Sequence, residues 1–509
     1  MLKRLTLVLA LVLVAGMTCA SYAEVQNVKV SGDIEVIAAM RNLELRQYAG
    51  AGNPAAAIGQ TTHPDDFLAT ITRVMISADL TDNVSTVVRL LNERYWGKES
   101  DNLGTGADEN TDIVLDLAYV TLKEFLYSPL TMTIGRQELH FGNDMIVGDP
   151  DTNNRVTNRS PFGNLANRPN ADLTARKSFD AIRATLNYDP VVVDIVGAKI
   201  RENVTNSQDD IDLYGINIGW DVSKKMKVEG YFWQKNLGRK TNTANSGVTQ
   251  PQNKRRYTDV IGSRVSGEPI DGLTYSLEQA FQFGKYNQND LANNVLGTLA
   301  GGSNADTVTR VGQANATSTV DIRAWALEAF LNYDFKKAKY TPSVGACYAY
   351  FSGDAADFDG NSAERRTGWD PMFENQTFGR ISNALFNQTN QHIAGLNASL
   401  KPFQDVTVKG EYYGYWVAKA SQDHSVLGAA AYTVARPAQA IYITKSGFIG
   451  QELDVTLTYD YTEDVQFNLM GDVFFPGNTF SSSGEPTVGL NGKSDNAATE
   501  VIGSMKVTF

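Results

Sequence analysis

Apolar and polar residues alternate with a period of two along most of this chain, and this pattern limits its fold more than any other feature. Segment 67–80, FLATITRVMISADL, puts an apolar set on one face of an extended chain: Val74, Ile76, Ala78 and Leu80. The opposite face carries a polar set: Arg73, Ser77 and Asp79. A period of two with one apolar face is typical of a β-strand that meets water on one side only.

Eighteen such strands can be placed on the chain. Their ranges are 27–46, 67–80, 84–96, 112–125, 130–141, 176–188, 191–202, 210–222, 226–237, 255–266, 272–285, 320–335, 340–352, 391–401, 406–418, 448–461, 465–476 and 498–509. Short turns alternate with longer loops between them, which is typical of a barrel with one rim in the periplasm and the other outside the cell. The pattern predicts an all-β fold, a transmembrane antiparallel β-barrel of about 18 strands with long extracellular loops and short periplasmic turns. In this barrel 27–46 would pair with 498–509.

The two ends of the chain favour an outer-membrane location. Residues 1–23, MLKRLTLVLALVLVAGMTCASYA, have the positive start, apolar centre and small-residue end of a secretory signal peptide. We therefore expect cleavage after Ala23 and an outer-membrane β-barrel over 24–509, while lipidation at Cys19 fits the preceding residues less well. No apolar run of about 18 residues follows, so a membrane-spanning helix is not predicted. The final residues, VIGSMKVTF, are typical of the closing strand of an outer-membrane barrel, although a soluble edge strand could have the same pattern.

A barrel of this size is wide enough for an aqueous channel unless loops fill it. Loops 142–175 and 353–390 are long enough to fold inward, so a restricted pore is expected. Aromatic residues cluster at the predicted strand ends, as rings do at the two membrane interfaces. Those near long loops are Trp96, Trp233, Tyr350 and Trp416.

The polar strand faces would line this lumen with charges of both signs. The basic candidates are Arg41, Arg73, Arg89, Arg183, Arg264, Lys227 and Lys409. The acidic candidates are Asp33, Glu35, Asp79, Glu93, Glu229, Glu278, Glu328, Glu411, Glu452, Asp454 and Asp460. Some would pair, such as Arg89 with Glu93 and Lys409 with Glu411. Such charges either hold the shape of the wall or, where an arginine is unpaired, set ion selectivity.

Segment 134–150, IGRQELHFGNDMIVGDP, concentrates charged and hydrogen-bonding side chains at a strand end. Strict alternation from Ile134 would put Arg136, Glu138 and His140 on the lipid face, where charges are unfavourable. A β-bulge at Gly135 would turn all three inward. We therefore predict a break in the ladder near Gly135, with the Arg136 guanidinium in the lumen beside a carboxylate.

An enzyme is not predicted. The four histidines lie on separate segments without metal-ligand spacing: His63, His140, His392 and His424. No serine nucleophile motif or glycine-rich phosphate loop accompanies them. Segment 352–361, SGDAADFDGN, could hold calcium, but it lacks the EF-hand spacing and terminal glutamate, so a polar turn is favoured. No metal and no cofactor is therefore expected.

Several long stretches resemble the alginate export family of outer-membrane porins. They include RVMISADLTDNVSTVVRLLNERYWG (73–97), the 134–150 segment, RKSFDAIRATL (176–186) and LNASLKPFQDVTVKGEYYGYW (396–416). The G-R-Q-E-L, S-G-D and F-P-G elements, in that order on strand ends, are the specific part. The resemblance implies an eighteen-stranded barrel with loops constricting an arginine-rich conduit for an anionic polymer. By this resemblance the constriction would be formed by Arg73, Arg89, Arg136, Glu138 and Arg183. Acids nevertheless outnumber bases in the predicted lining.

The leading hypothesis is a bacterial outer-membrane channel for an anionic saccharide or a similar small anionic solute. Its predicted pore-lining residues are Arg73, Arg89, Glu93, Arg136, Glu138, Arg183, Arg264, Glu278, Glu328, Lys409, Glu411 and Asp454. A general diffusion porin of weak selectivity, or a barrel that serves as sheath or receptor for a partner protein, is the alternative. Expected partners are outer-membrane lipid, the solute and a periplasmic export protein, while the formal net charge of -12 disfavours nucleic acid.

Overall fold

A computed structural model describes residues 27–43, 65–97, 113–151, 171–202, 210–237, 256–287, 319–353, 365–419, 447–477 and 497–509. In these ranges the chain forms one closed sheet of 18 antiparallel strands. The strands are β1 (Asn27–Asn42), β2 (Asp65–Thr81), β3 (Val84–Tyr95), β4 (Ile113–Leu122), β5 (Leu130–Glu138), β6 (Ser178–Tyr188), β7 (Val191–Arg201), β8 (Ile211–Ser223), β9 (Met226–Leu237), β10 (Arg256–Ile270), β11 (Leu273–Asn287), β12 (Thr319–Asp334), β13 (Ser343–Phe351), β14 (Gln391–Phe403), β15 (Val406–Val417), β16 (Phe448–Asp460), β17 (Val465–Pro476) and β18 (Ala498–Thr508). Each strand pairs with the next, and the predicted barrel and strand number are confirmed. The predicted signal peptide lies outside the described residues.

The first and last strands close the barrel, as predicted. β1 and β18 pair in one continuous register from Asp33 opposite Thr508 to Asn42 opposite Thr499. At the turn end of this seam, Gly32 and Phe509 exchange two backbone hydrogen bonds of 2.8 and 2.9 Å. The terminal aromatic residue is therefore part of the ladder that joins the two edges.

A buried ion group bridges the same seam near its other end. Arg41 on β1 lies opposite Glu500 on β18, and its guanidinium donates a hydrogen bond to that carboxylate. It also contacts Asp172, in a 3-10 turn at Ala171–Leu173, at 2.8 Å. The Arg41 side chain has no exposed surface, so its charge is compensated entirely inside the protein.

The alternating sequence separates a lipid-facing outer surface from the interior. Outward residues such as Leu331, Leu396 and Leu469 are apolar and more than half exposed. Such an apolar outer band is what a membrane barrel presents to lipid. Among the described residues, no helix has the length and apolar character needed to cross a membrane.

Two inner segments, 139–151 after β5 and 365–390 after β13, fold into the barrel. They pair with each other through a parallel bridge between Val147 and Phe373 and a 3.0 Å hydrogen bond from the Asn375 amide to the Asp144 carbonyl. The second segment contains the short helix α1 (Arg380–Leu385). Their apolar side chains form a core against the wall, including Met145, Ile146, Trp369, Phe378 and Leu385. The described parts of the two loops predicted to fold inward therefore do so.

The predicted bulge at Gly135 is wrong. β5 pairs with β6 without interruption from Leu130 opposite Leu186 to Glu138 opposite Ser178. Gly135 stays within the regular ladder and has a φ of 125°, a backbone conformation that residues with a side chain rarely adopt. The irregularity lies one strand away in β4, where the pairing with β3 skips Asp116.

Two smaller expectations also differ from the structure. Trp233, placed at the membrane interface by its position near a loop, is fully buried inside the barrel and packs on Phe141 with ring centroids 4.8 Å apart. The turn expected at 267–271 is shorter, because β10 continues to Ile270 past an irregularity after Gly267. The alternation of apolar and polar residues therefore predicts where a strand lies, but it does not predict where the strand ends or which residues a single aromatic ring contacts.

Candidate functional site in the barrel lumen

The pairing register places most of the predicted pore residues on the inner face. Opposed residues in a ladder share a face, so buried inner residues such as Leu91, Ala181 and Tyr415 identify which side of each strand points inward. By this criterion the inward residues are Arg73, Arg89, Glu93, Arg183, Arg264, Glu278, Glu328, Lys409, Glu411 and Asp454. Their part in conduction stays a prediction.

Arg136 does not line the lumen as predicted. It lies opposite Asp180, and the two form an ion pair with a 2.7 Å contact. Asp180 shares its face with Ile182, whose side chain is exposed on the lipid side, while Phe179 and Ala181 point inward. Because the ladder carries no bulge at Gly135, alternation continues and keeps Arg136 on the outer face.

Glu138, two residues further along β5, also lies on the outer side of the ladder rather than on the predicted inner side, but at the end of the strand its carboxylate reaches the charges around Arg89. Its carboxylate accepts a hydrogen bond from Arg89 Nη2, and Arg89 Nε donates to Asp116 at 2.6 Å. The predicted pair of Arg89 with Glu93 does not form, since the irregularity in β4 supplies Asp116 instead. The predicted pair of Lys409 and Glu411 forms, at 2.9 Å.

Inward cations are held by carboxylates on the same wall. Arg73 donates to Asp33 on the neighbouring strand at 2.9 Å. Arg183 donates from Nε to Asp194 at 2.8 Å, and Asp194 also accepts from the Thr185 hydroxyl at 2.6 Å. On the far side of the barrel, Glu229 accepts from Lys227 at 3.0 Å and from Arg264 at 2.5 Å. Each pair fixes the direction in which a cationic side chain points.

The two members of these pairs differ in their contact with water. The side chain of Arg183 is 32% exposed and that of Asp194 is 6% exposed. Lys227 is 46% exposed against 6% for Glu229. The same order holds for the pairs Arg73–Asp33, Arg89–Asp116, Arg264–Glu229, Lys409–Glu411, Lys177–Asp149 and Arg380–Asp472. Among the described contacts of inward cations, the reverse order holds for Arg89–Glu138, Lys235–Asp370 and both contacts of Arg41, with Asp172 and Glu500.

Other inward carboxylates hold the inner segments against the wall. Glu278 accepts hydrogen bonds from the Asn143 amide at 2.6 Å and the Tyr231 hydroxyl at 2.7 Å. Glu328 accepts one from Gln376 Nε2 at 2.7 Å. Glu93, which was expected to pair with Arg89, accepts a hydrogen bond at 2.6 Å from the amide of Ala175, in the stretch that leads into β6. These acids are buried, so they contribute to loop attachment more than to the surface of the lumen.

The start of α1 is attached in the same way. Glu452 accepts hydrogen bonds from the amides of Ile381 and Ser382 at 2.6 and 2.9 Å. Asp454 accepts one from the Arg380 amide at 3.2 Å, while the Arg380 side chain pairs with Asp472. The excess of acids in the lining is thus largely explained by carboxylates that receive backbone N–H groups of the inner segments.

One buried acid belongs to an inner segment itself. Asp149 lies between β5 and β6 with no exposed side-chain surface, 3.4 Å from Lys177 Nζ. Burial raises the pKa of the Asp149 carboxyl to about 7, because the loss of hydration outweighs the attraction of Lys177. Lys177 also donates to Asn375 of the other inner segment at 2.6 Å, so this group sits where the two segments meet.

Several of these partners could not be predicted from the sequence. Asp194 stands in VVVDIVGAKIR, where both strand faces are mostly apolar and a single acid does not mark a lumen. Asp116 is the extra residue of an irregular ladder, and Arg380 belongs to a loop. In the described ranges no group of three or more histidine, cysteine, aspartate and glutamate side chains is arranged to bind a metal. The calcium candidate at 354–361 lies outside those ranges.

The sequence of this chain matches one protein family, and its structure is similar to many outer-membrane barrels. The sequence model of the family described as Alginate export matches residues 45–489. No curated protein matches the sequence. Among solved structures, the outer membrane protein opdK from Pseudomonas aeruginosa has a TM-score of 0.52 at 8% identity, covering 95% of this chain and 100% of its own. OccK2 (OpdF) from the same organism, in complex with glucuronate, has a TM-score of 0.50 at 10% identity, covering 95% and 97%. At these identities the likeness establishes the fold alone.

Proposed function

The chain belongs to the alginate export family, and from its lumen we propose that it passes an anionic saccharide or a similar small anionic solute. A barrel of this family and fold is an outer-membrane channel. The class of solute is inferred from which charges of the inner wall are exposed to water and which are buried behind them.

The observation that supports this proposal is that, in most of the inward pairs, the cation is exposed to water and its carboxylate is more deeply buried. In the Arg183–Asp194 and Lys227–Glu229 pairs the exposed group is the cation and the buried group is the anion. A solute in the lumen approaches the exposed charge more closely, and Coulomb attraction falls with distance. The wall therefore presents positive charge to a solute even though its acids outnumber its bases.

The recessed acids also keep the exposed cations in place. Arg183 is held by Asp194 on one side and packs its guanidinium over the Phe141 ring, 5.3 Å from the centroid. A guanidinium that is already fixed can bind a solute carboxylate without a further loss of side-chain conformational entropy. Several such groups along a wall would let an anion move from one to the next, which a channel requires of its binding sites.

The chemistry of this wall suits a carboxylated sugar. The two inner segments narrow a wide barrel, and hydroxyl and amide groups accompany the cations, as where Arg264 also contacts Asn143 and Ser276 at 2.7 and 3.0 Å. Sugar hydroxyls would exchange hydrogen bonds with such groups. The likeness to OccK2, which was solved with glucuronate, supports this solute class.

Reversal potential across a planar bilayer in a potassium chloride gradient tests the proposal. The purified full-length protein should show a potential of the sign set by chloride, and glucuronate in place of chloride should still carry current. A potential of the opposite sign would contradict it, since the recessed carboxylates would then dominate the field.

A general diffusion porin is the second candidate, and the pairing of the lumen cations favours it. A cation that is partly neutralised by its own carboxylate attracts a solute less than a free one. This alternative predicts a reversal potential near zero, with similar currents for neutral and anionic sugars of equal size. The same measurement therefore separates the two candidates.

A further inference from the structure

A cluster of cations lies on the outer surface of the barrel, near the outer ends of β11 and β12. Lys285 and Asp321 lie opposite each other in the ladder and form an ion pair. Arg323 is two residues from Asp321, on the same outward face, with its side chain exposed. Its alternate neighbours Ile322 and Ala324 are buried, which fixes the outward direction of Arg323.

A third cation comes from the second inner segment before it enters the barrel. Beyond the end of β13, Arg366 bridges to Ile322, and the Arg323 amide donates to the Arg366 carbonyl at 2.8 Å. This places Arg365 beside the cluster, where Lys285, Arg323 and Arg365 all act on the Asp321 carboxylate. Three positive groups and one negative group give this cluster a formal net charge of +2. In the part of the chain that the structure describes, neither Arg323 nor Arg365 forms an ion pair.

A row of rings lies directly below these cations on the same outer face. Trp325 follows Arg323 by two residues, and its ring is 4.3 Å from that of Tyr350. Tyr350, His392, Trp416 and Phe448 are consecutive partners across four neighbouring strands. The Tyr350 and His392 rings are 4.8 Å apart, and those of Trp416 and Phe448 are 5.5 Å apart. Such rings mark the level of the membrane interface.

We propose that this surface, formed by Lys285, Arg323, Arg365 and the ring row, binds the phosphorylated headgroup of a glycolipid in the outer leaflet. The cations stand above the rings and apolar strand surface lies below, which is the order of phosphate, sugar and acyl chain in such a lipid. A dissolved anion would find the same cations but would make no use of the rings or the apolar surface.

The described outward charges at the outer ends of β5 to β8 do not form such a site. Arg136 pairs with Asp180, and Lys199 contacts Asp210 and Asp212 at 3.3 and 2.8 Å. In those places carboxylates balance or exceed the cations, so no positive excess meets the membrane. The excess beside Trp325 distinguishes that sector from the outer ends of β5 to β8.

Retention of lipid by the purified full-length barrel in detergent, measured by native mass spectrometry, tests this assignment. Lipid A and phosphatidylethanolamine would be added at equal concentration, with and without inorganic phosphate. The wild type should retain lipid A in preference to phosphatidylethanolamine. R323S/R365S should retain about tenfold less lipid A, while R201S, which removes an outward arginine at the same end of β7, should not change it.

The variants with conserved charge complete the test. R323K/R365K should keep most of the retention, which separates loss of charge from loss of fold, and unchanged channel conductance in R323S/R365S would show that the barrel is intact. Equal retention of the two lipids by the wild type, or equal loss in R201S, would overturn the proposal. Full displacement of lipid A by inorganic phosphate at equal concentration would assign the surface to a free anion instead.

Discussion

Arg183 and Asp194 lie on adjacent strands and share a 2.8 Å hydrogen bond, yet only the arginine has substantial contact with the lumen. The carboxylate is enclosed by the wall and by the Thr185 hydroxyl. In a water-filled channel the order of the two charges in depth decides which of them a passing ion meets first. The first two predictions follow from this arrangement.

Replacing Arg73, Arg89 and Arg183 by serine should lower anion preference without preventing insertion into the membrane. A unit charge about 8 Å from an ion in water contributes about 0.5 kcal/mol, so the triple variant should change the permeability ratio by at least about twofold. Reversal potentials in a salt gradient measure it. R136S is the matched control, because that arginine is also paired but lies on the outer face. Unchanged selectivity in the triple variant would mean that these arginines only brace the wall.

Asp194→Asn should increase anion preference. The amide keeps the shape and the Thr185 contact but removes the negative charge behind Arg183, so the exposed guanidinium is less neutralised. The expected loss of stability is about 1 kcal/mol, since Arg183 can still reach water. Asp180→Asn, which alters the outward pair with Arg136, should leave selectivity unchanged. A fall in anion preference in Asp194→Asn would show that holding the arginine in place matters more than unmasking its charge.

Glu452→Gln should loosen the helix of the second inner segment. The wild-type carboxylate accepts two backbone hydrogen bonds at the start of α1, and a neutral amide accepts them more weakly, at a cost of about 1–3 kcal/mol. Single-channel recording should show larger or more variable conductance. Asp460→Asn, at the far end of the same strand, is the control. Identical conductance in wild type and Glu452→Gln would separate this attachment from the width of the pore.

Stability should fall as pH rises through the titration of Asp149. Its pKa is raised by burial to about 7, above the ordinary value of 3.8, so the folded protein binds this proton more tightly than the unfolded chain. The stability that this group contributes is therefore fully present below about pH 4 and is lost as the pH rises to about 7, where the carboxyl ionises in the folded state as well. Thermal unfolding of Asp149→Asn in detergent should show a flatter pH dependence than the wild type over this range. An equally steep dependence in the variant would assign the effect to other groups.

Gly135→Ala should impair folding more than Gly230→Ala. Gly135 has a φ of 125°, and an added methyl group would meet the backbone of Ala118 on β4. Strain of this kind costs about 1–3 kcal/mol. Gly230 has open space around its Cα, so its alanine variant controls for the general effect of the substitution. Folded yield and resistance to unfolding in detergent compare the two.

The alternation of apolar and polar residues was enough to predict the barrel, because a strand exposed to lipid on one face must repeat every two residues. It also placed Arg73, Arg183 and Lys409 on the inner face. It failed at Arg136, where we expected a bulge to keep a charge away from lipid; an ion pair with Asp180 satisfies that charge on the outer face instead. The inner segments were beyond such reasoning, since contacts such as Gln376 with Glu328 join residues 48 positions apart without any periodic pattern.

The buried group at the seam has a consequence for how the barrel is completed during biogenesis. Arg41 belongs to the first strand and Glu500 to the last, with Asp172 supplied from between them. While the sheet is still open, the guanidinium and the Glu500 carboxylate are on opposite edges and each must remain hydrated. They lose that water only when the edges meet. The ion pair between them therefore forms together with the final rows of backbone hydrogen bonds. The Arg41–Glu500 ion pair therefore exists only in the closed barrel, where it stabilises the seam together with the backbone hydrogen bonds of β1 and β18.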